Sequence, residues 1–471
     1  MEQAAIVNAA VVTGDGEMFY EQATVYIRGD RIEAVEPGHL DTARVEELSR
    51  HRRVLDGAGL VVWPGLINHH THGTVPGPLF PSGEPALPVA QVRRNLNRHL
   101  AQGVTTLVNV DGFALPEEAA LVADHPVRVL LATAHLPAAV KAADLVSGKG
   151  LGPEHRTATV EKMLAAGAVA IGEIGAGHTL GGGGQDYLYI PRAIESATGR
   201  RVTPEQARAL KLATLGRRLD PAAFDRAETA RVLQEIGLDD VLDPDRVREL
   251  VARSVLPPVA TALAAFDEAA QLAARYGVAV IFHNSAPSAD RVLAMARRYG
   301  RSPARVIAAH SNHDTFTVAD SVETARRLRE AGAWVDLATF SLSPLAREKM
   351  GDFREYFDAL AAAGHAQLLS TDYNGGYWDG IPLAIARMVQ HGWGNLPRAV
   401  AMATANVADV LGLSDRGRLR PGLLADLTLV QAEDLSRVEA VLVGGKVVFE
   451  AQQHDNREEP AASLGYRPRS S

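Results

Sequence analysis

Residues 64–72 run Pro64-Gly65-Leu66-Ile67-Asn68-His69-His70-Thr71-His72. Residues 65–68 form a short apolar run that reads as a buried strand, and His70 and His72 follow its end two residues apart. Side chains alternate along a strand, so residues i and i+2 face the same way and can hold one metal ion together. Two imidazoles at that spacing also occur as plain hydrogen-bonded or exposed pairs. Their place in the chain decides between the readings.

Downstream of the pair, apolar runs alternate with amphipathic stretches. Strands are predicted at 65–68, 105–110, 127–132, 169–173, 278–282, 306–309, 333–337 and 367–370, with helices such as 89–101 and 321–331 between them. Strand–helix alternation predicts a parallel sheet. Eight βα units at these spacings predict a closed TIM-like (β/α)8 barrel, whose chemistry sits at the C-terminal strand ends. The spacing breaks once, between the fourth strand and the fifth. The glycine run 181–184 opens that stretch, and Thr203-Pro204-Glu205-Gln206 reads as a helix start with a capping box. Asp220-Pro221 and Asp243-Pro244 repeat the cap-then-proline signal. A helical insertion over about 180–258 is expected on the catalytic rim, as a lid, an oligomer contact or a structural elaboration.

Both chain ends have another texture. Residues 5–13, 23–28 and 31–35 alternate Val and Ile with small or polar residues, as half-buried antiparallel strands do. Residues 426–431 and 440–443 are β-rich, and Gly444-Gly445 offers a hairpin turn before 446–449. The two ends are expected to pair into one small β-sandwich. The organisation is then 1–60 as its N-terminal part, 61–410 as the barrel, 411–450 as its C-terminal part and 451–471 as a polar tail.

The strand ends supply metal-ligand residue types in order. Glu173 closes the fourth strand within Gly172-Glu173-Ile174-Gly175, where a buried carboxylate needs a cation or a charged partner. His283 closes the fifth strand, His310 the sixth, and Asp372 follows the eighth. Each alone has a bland reading as a satisfied core histidine, a capping aspartate or an ion-paired glutamate. Six such residues at five strand ends point to a metal centre made of His70, His72, Glu173, His283, His310 and Asp372. His135 ends the third strand, and His178, His313, Tyr373, Asn374 and Trp378 follow ligand positions. These six are candidates for lining a substrate pocket, while no arginine falls at a strand end.

Composition narrows the chemistry. The 471 residues include no cysteine, which removes thiolate nucleophiles, disulfides and iron–sulfur clusters. With 48 basic and 56 acidic residues the net charge is −8, without a basic stripe, so nucleic acid is not an expected partner. The start Met1-Glu2-Gln3 has no basic leader region, and no apolar run approaches the roughly 18 residues of a membrane span. A cytoplasmic protein with no membrane partner is expected.

Together with Ala405-Asn406, Gly417-Arg418-Leu419-Arg420-Pro421-Gly422 and Ala425-Asp426-Leu427, these motifs resemble the amidohydrolase superfamily nearly end to end. The resemblance implies a metal-dependent hydrolase of a small molecule. It would cleave a C–N bond (amide, cyclic amide or N-acyl) by attack of a metal-bound hydroxide, with Asp372 as proton shuttle. It also implies a binuclear centre, with zinc first and iron or manganese as alternatives, in a homo-oligomer. His70, His72, Glu173 and Asp372 would hold one ion, and Glu173, His283 and His310 the other. The stretch Gly172-Glu173-Ile174-Gly175-Ala176-Gly177 with His310-Ser311-Asn312 is similar to enamidase, and the glutamate ligand groups the chain with enamidase-like and imidazolonepropionase-like members. His283 is followed by Asn284-Ser285-Ala286, so the H-x-x-E pattern of mononuclear aminohydrolases is missing. A deaminase or lactone hydrolase on the same metals is therefore the second reading, and a non-catalytic assembly protein of the same fold a distant third. Asn68 stands where many members carry Asp, and is expected to act as a neutral acceptor behind the ligands.

Overall fold

The computed structural model describes residues 3–451 apart from 176, 182, 301 and 374–377. Five strands open the chain: β1 (Gln3–Val12), β2 (Phe19–Arg28), β3 (Arg31–Pro37), β4 (Arg53–Asp56) and β5 (Leu60–Pro64). Eight more alternate with helices: β6 (Leu66–Thr71), β7 (Val104–Asn109), β8 (Arg128–Thr133), β9 (Ala170–Ile174), β10 (Ala279–His283), β11 (Arg305–Ala309), β12 (Trp334–Ala338) and β13 (Leu368–Ser370). Three strands follow them: β14 (Leu427–Gln431), β15 (Val438–Val443) and β16 (Lys446–Glu450).

Strands β6 to β13 pair in sequence order, in parallel. Alternate residues of each strand go to different apolar clusters, as a period of two dictates. Ile67, Ala170, Ile281, Ile307 and Leu368 meet in one cluster, and Leu66, Ile171, Val280, Val306 and Leu369 join the layer shared with the helices. The seam between β6 and β13 is closed largely by side chains. Asn68 Nδ2 donates to Thr371 Oγ1 at 2.6 Å, and Asn68 Oδ1 accepts from Thr371 N at 3.2 Å. Just above, His72 N donates to Tyr373 O at 2.7 Å. All eight expected barrel strands are present, and β6 runs on through His70 to Thr71.

The chain ends form one continuous sheet in the order β16-β15-β14-β5-β1-β2-β3, with β4 on the same edge of β1 as β5. The antiparallel pair β5–β14, from Leu60↔Gln431 to Pro64↔Leu427, joins the N-terminal strands to the C-terminal ones. Ile6, Val11, Val25, Val62, Leu427 and Leu442 give this sheet an apolar cluster of its own.

Between β9 and β10 the chain is helical. Thr203 Oγ1 accepts from Gln206 N while Gln206 Oε1 accepts from Thr203 N, so the helix Pro204–Leu215 starts on the expected capping box. Asp243 caps the last helix, Pro244–Tyr276, which runs without a break up to β10. By length and composition that helix is able to cross a membrane, with mean hydropathy 1.3 over 18 residues. Its apolar face is used inside the protein: Val247, Val251, Val255, Val259, Ala262 and Phe266 recur at helical spacing and are buried. Phe266 stacks on Phe282 of β10, with ring centroids 4.7 Å apart.

Candidate metal centre

His70 is the penultimate residue of β6 and His72 follows its end, so both imidazoles project from one strand edge with centroids 5.5 Å apart. Glu173 arrives on β9 beside a glycine that the fold requires. Gly172 has φ +133°, and a Cβ there would lie 2.5 Å from Ile281 O. Only a residue without a side chain lets the backbone pass so close to β10.

The Glu173 carboxylate faces two imidazole pairs, one with each oxygen. Oε2 lies 3.7 Å from both His70 Nε2 and His72 Nε2. Oε1 lies 2.8 Å from His283 Nδ1 and 3.0 Å from His310 Nε2. Asp372 Oδ1 completes the first set, 3.3 Å from His70 Nε2 and 3.6 Å from His72 Nε2. Distances of 3.6–3.7 Å are too long for hydrogen bonds. They lie near the upper end of the spacing, about 3.3–3.6 Å, of donors placed about 2.0–2.2 Å from one tetrahedral ion. His70 Nε2 is also buried without a hydrogen-bond partner among the described residues. The donor set fits a divalent cation. Among the described residues, three overlapping groups of possible ligands emerge: His70, His72 and Glu173; Glu173, His283 and His310; and His70, His310 and Asp372. His310 thus stands between the two sets assigned from sequence.

Burial alone would push both carboxylates up. For Glu173 the charges of His283 and His70 and the bonds from His283 and His310 outweigh it, holding the group well below the usual range. For Asp372 burial is outweighed by His310, His72 and His70, which take it down to about 2. Burial opposes protonation of His72, but Asp111 and Asp372 raise it to about 10. His310 likewise rises to about 9 against burial, through Asp372 and Glu173, whereas burial takes His283 down to about 4. The two carboxylates, set among four imidazoles, stay ionised, the state in which they serve as ligands.

Two of the six positions carry backbone strain: His310 has φ +32° and Asp372 φ +48°. Left-handed non-glycine residues cost on the order of 1–3 kcal/mol each and persist where neighbours over-determine them. Asp336 of β12 is such a neighbour, since its Oδ2 accepts from His310 N and from Ser370 Oγ, both at 2.8 Å.

Asp111, just past β7, was not among the residues picked out from sequence. Its Oδ1 lies 2.9 Å from His72 Nδ1, and it also accepts from Gly73 N and Phe80 N. A carboxylate there fixes the ring so that Nε2 faces Glu173 and Asp372. The role expected of Asn68 therefore belongs to Asp111. Asn68 reaches His70 only through its backbone N, at 3.5 Å, and spends its amide on the β6–β13 seam.

The expected substrate-lining residues fall in different places. His313 lies beside the ligands, its ring centroid 5.4 Å from those of both His283 and His310, with Nδ1 2.9 Å from Asp314 Oδ1. His135 is buried against Phe113, its Nδ1 2.9 Å from Thr133 Oγ1. Tyr373 is 1 % exposed and gives its hydroxyl to Asn95 Oδ1 of the helix Val89–Ala101. Its ring and that of Trp378 pack on His99, at 5.0 and 4.5 Å. These two fasten the loop after β13 to that helix, and for Tyr373 this replaces the substrate-facing expectation. The side chain of His178 and all of Asn374 lie outside the described residues.

Comparison with known proteins agrees with this architecture. A D-aminoacylase studied for its binuclear metal centre superposes with TM-score 0.51 at 16 % identity, over 96 % of this chain and 98 % of that one. A β-aspartyl dipeptidase from Fervidobacterium islandicum AW-1 does so with TM-score 0.51 at 16 % identity, over 95 % and 96 %. Sequence relatives match in part. A 5-methylthioadenosine/S-adenosylhomocysteine deaminase from Pelotomaculum thermopropionicum is 28 % identical over 176 residues, 34 % of this chain and 35 % of that one. Adenine deaminase 2 from Desulfotalea psychrophila is 39 % identical over 56 residues, 12 % and 10 %. The chain thus spans about a third or less of the curated relatives it matches. The model of the amidohydrolase family matches residues 157–448. That match runs through β9, β10, β11 and β13, the strands that carry Glu173, His283 and His310 and lead to Asp372, and the chain accordingly belongs to the amidohydrolase family.

Proposed function

We propose that the chain hydrolyses an amide bond, cyclic or N-acyl, in a small molecule, using two divalent metal ions, zinc first. His70, His72, Glu173, His283, His310 and Asp372 would hold them. The reading is carried by Glu173, whose two oxygens each face a different pair of imidazoles. Divalent metal at such a site acts as a Lewis acid and makes water nucleophilic at neutral pH.

The remaining work falls to the chain's own side chains. Asp372 is 18 % exposed, while the other five side chains are at 6 % or less, so it is the ligand that a substrate reaches. Its carboxylate takes the proton of the attacking water and hands it to the departing nitrogen, help worth about 10²–10⁴-fold. Asp111 keeps the His72 ring in one orientation, and Asp336 holds the strained backbone of His310.

A second reading is hydrolytic deamination by the same residues, favoured by the two partial sequence relatives, both deaminases. Metal analysis with a panel of cyclic amides, N-acyl amines, lactones and aminopurines tests the proposal. Hydrolysis of an amide with two metal equivalents supports it. Ammonia release from aminopurines with no amide cleaved moves the function to deamination.

A further inference from the structure

The loop after β6 places one aromatic side chain at the edge of the candidate centre. Residues 71–83 are buried except for Phe80, which is half-buried. Its ring stands edge-to-face with the imidazole of His72, with centroids 5.1 Å apart and planes at 62°. Its backbone is left-handed, with φ +58°. A bulky side chain in that region is a steric outlier, whereas glycine adopts it freely and asparagine readily. The turn around Phe80 is fixed from both sides. Leu79 and Glu84 exchange backbone bonds of 2.8 Å, Gly83 N donates to Phe80 O at 2.9 Å, and Gly148 N and Gly150 N donate to Ser82 O and Gly83 O. Asp111 Oδ1, the atom that orients His72 through Nδ1, also accepts from Phe80 N at 2.8 Å. One carboxylate oxygen therefore sets both the His72 imidazole and the backbone that carries the ring beside it.

Exposure marks the side on which the ligands open outward. Of the residues packed around them, Asp111, Asp336 and Tyr373 are at 1 % exposure or less. Asp372 keeps 18 % and His313 16 %, and Phe80 is likewise partly exposed. Phe80 stands against His72, in the set that faces Glu173 Oε2. His313 stands against His283 and His310, in the set that faces Oε1. The mouth is thus two-sided: a hydrocarbon ring flanks one set of ligands, and an imidazole tied to Asp314 flanks the other. Strained backbone collects where the side chain it carries is used. An aromatic ring half open to water gains when an apolar group covers it, most of all another ring.

We infer that Phe80 determines the specificity of the centre: its ring receives an apolar substituent, best an aromatic one, carried next to the scissile bond on the side of His72. The substrate is then an amide with an apolar group directly beside the bond that is cut. This rests on the amide-hydrolase reading and names its substrate class.

Two measurements on the full, zinc-loaded chain test it. In the first, acetohydroxamate and phenylacetohydroxamate are titrated calorimetrically; they share a metal-binding head and differ by one phenyl group. Phenylacetohydroxamate is expected to bind about tenfold tighter, and Phe80→Asn to abolish that preference with the metal content retained. Asparagine tolerates the left-handed backbone and keeps the N–H that Asp111 accepts. Phe80→Leu stays apolar and is expected to show an intermediate preference, so an unchanged preference there counts against the proposal even if the Asn chain does not fold. In the second, N-methylacetamide is compared with N-benzylacetamide and with N-methyl-phenylacetamide. One of the two phenyl-bearing amides is expected to have the higher kcat/KM, through KM, and Phe80→Asn to remove the advantage. Equal affinity of the two hydroxamates in the wild type, or a preference that survives Phe80→Asn, overturns the role of Phe80. Loss of metal with equal weakening of both hydroxamates in that variant also overturns it and makes Phe80 a brace for His72. Binding of neither hydroxamate overturns it together with the metal-centre reading. Amide hydrolysis indifferent to the phenyl group overturns it and leaves the hydrolase reading intact. A hydroxamate preference that responds to Phe80, with no amide cleaved, supports the role of Phe80 while removing the amide-hydrolase reading.

Discussion

Asp111 Oδ1 sits 2.9 Å from His72 Nδ1, so the far nitrogen of that imidazole is the one left facing Glu173 and Asp372. Asp111 is 1 % exposed and is itself held by three donors, Gly73 N, Phe80 N and Asn109 Nδ2. Replacing it by Asn keeps the shape and removes the charge that makes the imidazole a strong donor. Asp111→Asn should weaken metal affinity by about 10–100-fold, as loss of such partners does elsewhere. Competition with a graded series of chelators measures this, and wild-type affinity in the variant would rule the role out.

Glu173 and Asp372 should separate when each is neutralised. Glu173→Gln removes the charge facing both imidazole pairs and should lower the metal content of the purified protein. Asp372→Asn should retain most of the metal, because His70, His72 and Glu173 remain, and should lose about 10²–10⁴-fold in turnover. Metal content by plasma spectrometry, beside turnover on any cleaved amide, distinguishes the pair. Full turnover in Asp372→Asn would defeat the proton-shuttle assignment.

The barrel and the six clustered residues were legible because both rest on local pattern. Short apolar runs at βα spacing mark the strands, and a His, Glu or Asp just past such a run stands out. Asp111 obeys the same rule after Asn109-Val110 and was within reach of it; what hid it is that it bonds a ligand and joins none of the three ligand groups. Asp336 carried a different signal, a carboxylate between Val335 and Leu337 in an apolar strand, where burial demands donors. The direction of Tyr373 was not legible. It sits in a loop without periodicity, and its partners Asn95 and His99 lie far away in sequence. Within the helical insertion, the ion pair of Asp186 with Lys211 depends in the same way on tertiary packing of two segments.

Asn68 fastens the barrel where β13 returns to β6. Replacing it by Leu leaves Thr371 N buried without the Asn68 acceptor, while Thr371 Oγ1 keeps one of its two donors, Tyr373 N. An orphaned buried group costs about 1–3 kcal/mol, so Asn68→Leu should lower the urea midpoint well beyond an ordinary surface change. Asn68→Asp still accepts from Thr371 N and from its hydroxyl, and should lose less. A Leu variant as stable as wild type would mean that the seam holds without the Asn68 amide, through contacts such as the His72–Tyr373 backbone bond.

His99 makes the stability of that same region depend on pH. It is fully buried between Tyr373 and Trp378, and neither ring nitrogen has a hydrogen-bond partner among the described residues. Burial, aided by the charge of Arg98, takes it down from 6.5 to about 3. In the unfolded chain the imidazole titrates near its ordinary value, so below about pH 6.5 the unfolded state binds a proton that the folded state refuses. The stabilisation is complete above that pH and is lost as the pH falls toward 3, by up to about 1.4 kcal/mol per unit. At pH 5 the wild type should have lost about 2 kcal/mol relative to pH 7.5 from this group, a loss that His99→Leu avoids. Urea unfolding of both proteins at the two pH values measures the difference. Equal acid sensitivity in the two would show that His99 takes up its proton without opening the contact between the loop after β13 and the helix Val89–Ala101.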